Sequence, residues 1–177
     1  SNTIQDGQNT EGSYTIDLTG LTGGNLYYVR AYAINSEGTG YGDQISFTTL
    51  AVPPSVETIS SSTIDTNSIT VTGNVSDNGG AAINSHGFVY SSENSTPTLN
   101  DLSIEVGQDI EGQFQTQIEN LQPSTNYFIR AYATNEAGTS YGNVISEQTA
   151  EGLYFNLISP TSSTTLNFGS NYTIQWE

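Results

Sequence analysis

His86 is the only imidazole in the chain of 177 residues. Acid–base or nucleophilic chemistry near neutral pH would have to converge on it. A hydrolase would need a serine and a carboxylate brought to that ring, and the sequence has no Gly-x-Ser-x-Gly elbow. His86, following Asn84-Ser85 at the start of a strand, therefore reads as a surface or partly buried structural residue. The 18 Asp and Glu side chains offer in principle a glycosidase pair or calcium sites. They are scattered singly, without the Asp-x-Asp-x-Asp-Gly spacing that gathers oxygens around calcium. Asp77-Asn78-Gly79 and Glu147 with Glu151 are the only local clusters, and solvated turn and linker carboxylates account for both. No catalytic residue, metal site or cofactor is expected; calcium is the one candidate, and it lacks a motif.

A second pattern is aromatic. Phe128, Arg130 and Tyr132 stand two residues apart, on one face of a strand, and Tyr28, Arg30 and Tyr32 repeat the pattern. Rings and arginine are common interface anchors, so these six residues form a candidate face for a glycan or a protein. The alternative is a cross-strand cluster in which each arginine stacks on its own neighbours. The second reading is preferred.

Charge narrows the partners. The two cations, both arginine, against 18 acids give a net charge of −16, which repels nucleic acid, anionic lipid and phosphorylated cofactors. No apolar run approaches the ~20 residues of a membrane-spanning helix. With no Cys and no Met, thiol nucleophiles, disulfides and cysteine-ligated zinc are excluded, and the composition suits an oxidising exterior. Lysine is absent and windows rich in Glu, Ala and Leu are few, so helices are expected to be scarce.

The elements that position these side chains come from an internal repeat. Residues 18–49 return as 118–149 without a gap, and the register runs back through Glu11 and Glu111 to Ile4 and Ile104. A period of one hundred residues is one sandwich domain, too long for a solenoid turn or a propeller blade. Residues 1–50 then correspond to the second half of a module, residues 51–150 to a whole one, and residues 151–177 to the first strands of a further immunoglobulin-like one. The chain is accordingly expected to be an excerpt from a longer polymer of domains. The less favoured alternative is strand complementation between subunits, giving a head-to-tail filament.

Within residues 51–150 the pattern predicts about seven strands. Pro53-Pro54 leads into an edge strand at 56–59. Ile69, Val71 and Gly73 alternate with threonines. Asp77-Asn78-Gly79-Gly80 is a turn, and residues 86–91 follow with Phe88 and Tyr90 on one face. Strands at 102–106 and 113–118 hinge at Glu111-Gly112. Residues 127–134 alternate strictly, with Tyr127, Ile129, Ala131 and Ala133 toward the core. A last strand spans 141–148. In the tail, strands are expected at 153–158 and 172–176.

Leu121, Pro123, Thr125 and Tyr127, followed by Arg130-Ala131-Tyr132-Ala133 and Asn135 to Gly138, resemble the signature of a fibronectin type III domain. The resemblance implies an all-β, tandem immunoglobulin-like sandwich in which Tyr127, and Tyr27 before it, form the corner closing one sheet on the other. In the first copy Leu21, Tyr27, Arg30, Tyr32, Asn35, Gly38, Tyr41 and Gly42 match, but Gly23 stands where Pro123 does. The family's early tryptophan is missing from residues 51–100, leaving Ile69, Val71, Phe88 and Tyr90 to fill that core. The flavour of the repeat is similar to modules of very long secreted surface proteins of Bacteroidota-type bacteria.

The expected role is that of an extracellular or cell-surface spacer or adhesive stalk without catalysis, its partners being neighbouring domains of the same chain or filament, with surface glycans or proteins as further candidates. The rival from a different class is an accessory, carbohydrate-binding region of a secreted polysaccharide-degrading enzyme.

Overall fold

The computed structural model describes residues 12–152, 157–159 and 175–176. Every regular element among them is a strand. Residues 12–50 hold β1 (Leu26–Val29), β2 (Tyr32–Asn35), β3 (Gly38–Tyr41) and β4 (Ile45–Thr48). Residues 51–150 hold β5 (Ser55–Ile64), β6 (Ile69–Asp77), β7 (Ser85–Ser91), β8 (Leu102–Gly107), β9 (Gly112–Ile118), β10 (Asn126–Asn135), β11 (Gly138–Tyr141) and β12 (Ile145–Gln148). β13 (Leu157–Ser159) pairs with β14 (Gln175–Trp176) antiparallel. The rest of the tail strands expected from the pattern lies outside the described residues.

β5 to β12 make two antiparallel sheets. One is β5-β6-β9; the other runs β11-β10-β7-β8, with β12 also on β10. Their inward faces bury Ile69, Val71 and Val75 from β6, Phe88 from β7, Phe114 and Ile118 from β9, and Tyr127, Ile129, Ala131 and Ala133 from β10. Alternation puts those residues on one side of each strand, so removing that side from water drives the sheets together. A ring cluster lies between the sheets. Phe114 sits 5.1 Å from Phe88 and 4.7 Å from His86, centroid to centroid. It occupies the space above Gly73, where a Cβ would lie 2.7 Å from the Phe114 ring. Tyr90 is half-buried against this core.

The strands expected on either side of Glu111-Gly112 are β8 and β9; β8 pairs with β7 and β9 with β6, so residues 108–111 carry the chain from one sheet to the other. One expectation is corrected. The single last strand is two, broken at residues 142–144. The first copy has the same break, at residues 42–44, with the Gly42 N–H on the Ala31 carbonyl at 2.9 Å; in the second copy β5 also reaches into it. The Thr58 hydroxyl accepts the Ala131 N–H at 2.9 Å, and the Thr58 N–H donates to Asn143 Oδ1 at 3.1 Å. Gly142 closes the gap with its own N–H on the Ala131 carbonyl at 2.9 Å.

The first copy keeps the register of the second. Leu26 pairs with Thr48 as Asn126 does with Gln148, and Tyr32 pairs with Tyr41 as Tyr132 does with Tyr141. The segment joining the copies is held by Asn135. Its amide nitrogen donates to the carbonyls of Val52 at 2.7 Å and Asn78 at 2.8 Å, while its Oδ1 accepts the N–H groups of Ala137 and Gly138. One side chain thus satisfies two carbonyls and two turn amides that would otherwise lack partners in the fold.

Candidate functional site

β10 presents Phe128, Arg130 and Tyr132 on the side away from the core, as the alternation requires, but the three do not form an open stripe. Tyr132 is only 3 % exposed, and its hydroxyl lies 3.0 Å from Ser85 Oγ. The Arg130 guanidinium carbon lies 4.2 Å from the centroid of the Tyr141 ring. Its Nε donates to the Pro97 carbonyl, and a terminal nitrogen reaches the Thr96 carbonyl at 3.5 Å. The ring under the cation is therefore Tyr141, from the adjacent strand β11, and not Phe128 or Tyr132.

The loop over Arg130 is built to stay there. Pro97 is buried. Asp101 Oδ2 accepts the Thr98 N–H at 2.8 Å and the Asn94 amide at 3.0 Å, and the Ser91 hydroxyl accepts the N–H of Asn94 at 3.0 Å. The Leu99 N–H donates to the Tyr141 hydroxyl at 3.1 Å, so one tyrosine both carries the cation and ties the loop. In the first copy Arg30 lies over Tyr41 at 3.9 Å. There Tyr28 is 64 % exposed and Arg30 is exposed, whereas Tyr32 is half-buried with its hydroxyl out of reach of water and of any hydrogen-bond partner.

Both corner tyrosines accept a backbone N–H five residues upstream. Tyr27 takes that of Thr22 at 2.8 Å and Tyr127 that of Gln122 at 3.1 Å. Their rings find different neighbours: Tyr27 stacks on Phe47 at 5.9 Å, whereas Tyr127 meets Tyr90 edge-on at 6.3 Å. Burial and the neighbouring Tyr127 push the Tyr90 phenol above its ordinary range.

His86 is a core residue, 3 % exposed, not a surface or partly buried one. It shares its side of β7 with Phe88 and packs edge-on against Phe114. Neither ring nitrogen has a hydrogen-bond partner. Burial lowers its basicity below the usual imidazole value, and the nearby Gly107 backbone and Glu105 charge oppose that shift only in part. Among the described residues no serine, threonine or carboxylate is hydrogen-bonded to this ring. The local carboxylates are engaged within the fold: Asp77 Oδ1 accepts the Gly79 N–H at 2.7 Å, and Glu147 accepts the Ser61 hydroxyl. Among the described residues no group of three or more His, Asp or Glu side chains gathers to hold a metal ion.

Sequence reasoning placed Asn135 in a turn and Tyr141 at the start of the last strand without giving either a part in holding a loop or a linker, and it passed over the 92–101 loop. The signal was present for two of them, since Tyr41 and Asn35 recur as Tyr141 and Asn135 at the same repeat positions. The loop carries no such signal, because residues 12–50 contain no counterpart of it.

Among solved structures the chain is similar to domains d3-d4 of the extracellular region of rat CD45, at 19% identity over 84% of this chain and 76% of that one, with a TM-score of 0.60. The fold is a fibronectin type III-like sandwich. Domains FN1-FN3 of chicken CNTN1 are also similar, at 21% identity over 78% of this chain and 47% of that one, with a TM-score of 0.45. A human fibronectin type III domain matches at 22% identity over 67% of this chain and 92% of that one, with a TM-score of 0.44. No protein-family model and no curated protein matches the sequence. The likeness to the CD45 domains shows the fold, an all-β sandwich, and leaves function to the residues.

Proposed function

We propose that the chain is a structural spacer or adhesive stalk segment of a large extracellular multidomain surface protein, without catalysis of its own. Residues 1–50 supply the later half of one fibronectin type III-like module, residues 51–150 a complete module, and residues 151–177 the opening strands of an immunoglobulin-like one. The observation that carries this reading is the clamp at the junction: Asn135 holds the linker carbonyl of Val52 and the loop carbonyl of Asn78 together. A linker bonded to the next module transmits orientation, which a flexible tether does not. Strands of 10 residues, as in β5 and β10, give each module a reach of roughly 33 Å at ~3.3 Å per residue. Small-angle X-ray scattering on the full chain tests the reading: a stiff rod supports it, and a distribution of freely jointed shapes overturns it.

A further inference from the structure

Gly23 and Gly24 of the first repeat meet Gly79 and Gly80 of the second backbone to backbone. A Cβ on Gly24 would stand 2.1 Å from the Gly80 carbonyl oxygen, and one on Gly80 would stand 2.3 Å from the Gly23 carbonyl oxygen. A Cβ on Gly23 would lie 3.0 Å from the Gly79 oxygen, and one on Gly79 would lie 2.0 Å from the Val52 oxygen. All four obstacles are main-chain atoms, which cannot rotate aside as a side chain would. The Val52 N–H donates to the Gly79 carbonyl at 2.9 Å, and Asn135 bonds Val52 and Asn78 on either side, so the 77–80 loop is fixed where the first repeat meets it.

The second repeat separates two reasons for a glycine at position 24. Gly24 has φ +65° and donates its N–H to the Leu50 carbonyl at 3.2 Å; Ser124 has φ +51° and donates to the Ala150 carbonyl at 3.1 Å. The turn is the same and accepts a side chain. The contact does not: Gly23 and Gly24 are half-buried against the 79–80 loop, whereas Gln122, Pro123 and Ser124 are exposed. Glycine at 23–24 answers to the neighbouring module, not to the local backbone.

We propose that Gly23-Gly24 is the specificity-determining half of an order-selective joint. Its partner is a loop with two consecutive glycines at positive φ, here Gly79-Gly80 at +74° and +82°. The Pro123-Ser124 turn rejects that loop, because Ser124 carries a Cβ where Gly24 has none. Two copies of the 51–150 module cannot stack through this joint, so the order of modules is written at positions 23–24 and 79–80. The inference rests on the contact itself and goes beyond the spacer reading.

Solution NMR on the full chain tests it. The native chain gives a cross-peak between the α protons of Gly24 and Gly80, and residual dipolar couplings report one shared alignment for both repeats. The double variant Gly23→Pro with Gly24→Ser imports the turn that the second repeat already uses, so β1–β4 cross-strand contacts persist. The Gly80 contact is lost, and the repeats align independently. Gly80→Asn approaches from the other side with residues 12–50 untouched, asparagine being tolerant of positive φ, and produces the same release. The reciprocal change, Pro123→Gly with Ser124→Gly, leaves the joint as it was. A missing Gly24–Gly80 cross-peak in the native chain, or a shared alignment that survives either joint variant, overturns the proposal.

Discussion

Arg130 and Tyr141 form a stacked pair in which the ring supports the cation from below while its hydroxyl accepts the N–H of Leu99, a residue of the loop that covers the cation from above. Strand pairing brings the two together: Tyr132 faces Tyr141 across β10 and β11, so Arg130 two residues earlier projects on the same side and leans over the ring. In a chain with two cations against 18 acids, this arginine is directed to carbonyls and a π face. A guanidinium serves both, being planar, permanently charged and less strongly hydrated than an ammonium.

Replacing Arg130 by Ala is therefore expected to release the 92–101 loop and cost about 1 to 3 kcal/mol, the range for a charge-assisted hydrogen bond together with a partly exposed cation–π contact. Arg130→Lys should recover only part of that, lacking the fork that engages Pro97 and Thr96 together. Urea midpoints for the two variants, with amide exchange at Leu99, check this. An unchanged Leu99 protection factor in Arg130→Ala would contradict it.

Tyr127→Phe is expected to lower stability by about 1 kcal/mol, because it strands the Gln122 N–H while leaving the ring against Tyr90. Gln122 is exposed, so water recovers part of the lost bond and the cost stays near the low end for such a deletion. Chemical denaturation of the full chain gives the value, and no change in midpoint would count against the bond.

How far the sequence alone could lead depends on which physics wrote each feature. Strict alternation at 127–134 and 69–73 encodes burial directly, so β10, β6 and their core faces were readable. The break between β11 and β12, which the first copy shares at residues 42–44, was not, because alternation does not mark where Gly42 and Gly142 turn their N–H groups onto the carbonyls of Ala31 and Ala131. The burial of Tyr132 and the capture of Arg130 were hidden as well. Spacing shows which side of a strand a residue takes, but not whether a loop folds over it. His86 was legible in part: its parity with Phe88 put it on the core side, but the want of a serine and carboxylate to converge on it rules out a site without saying how deeply the ring is buried.

The burial of His86 sets an acid sensitivity. Its basicity is lowered in the fold and ordinary, near 6.5, in the unfolded chain. Above that value both states are neutral and the contribution to stability is complete. As the pH falls from 6.5 toward the depressed folded value, the unfolded chain takes up a proton that the folded one refuses, and stability declines. The Gly107 backbone and the Glu105 charge work against the shift without cancelling it. Melting curves between pH 7.5 and 5 should thus fall more steeply for the native chain than for His86→Phe, which keeps the ring packing on Phe114 and removes the titration. Parallel curves would show that protonation of His86 has no part in acid stability.

The excess of carboxylates makes a last expectation, about salt and calcium. Self-repulsion among charges of one sign weakens a compact state and is screened by ions over roughly 10 Å at 0.1 M salt. The interactions that salt would also weaken are few here, since Arg130 is bonded to carbonyls and a ring, while Asp77, Asp101 and Glu147 accept from N–H and hydroxyl groups. Added sodium chloride should therefore raise the melting temperature. Calcium should do no more than an equal ionic strength of magnesium, because no cluster of three acidic or imidazole side chains exists among the described residues to bind it. Differential scanning calorimetry with each salt in turn, then with chelator, checks both halves. A saturable rise specific to calcium and reversed by chelator would mean that Asp77 or Glu147 takes a ligand, and that carboxylates assigned to turns have a second role.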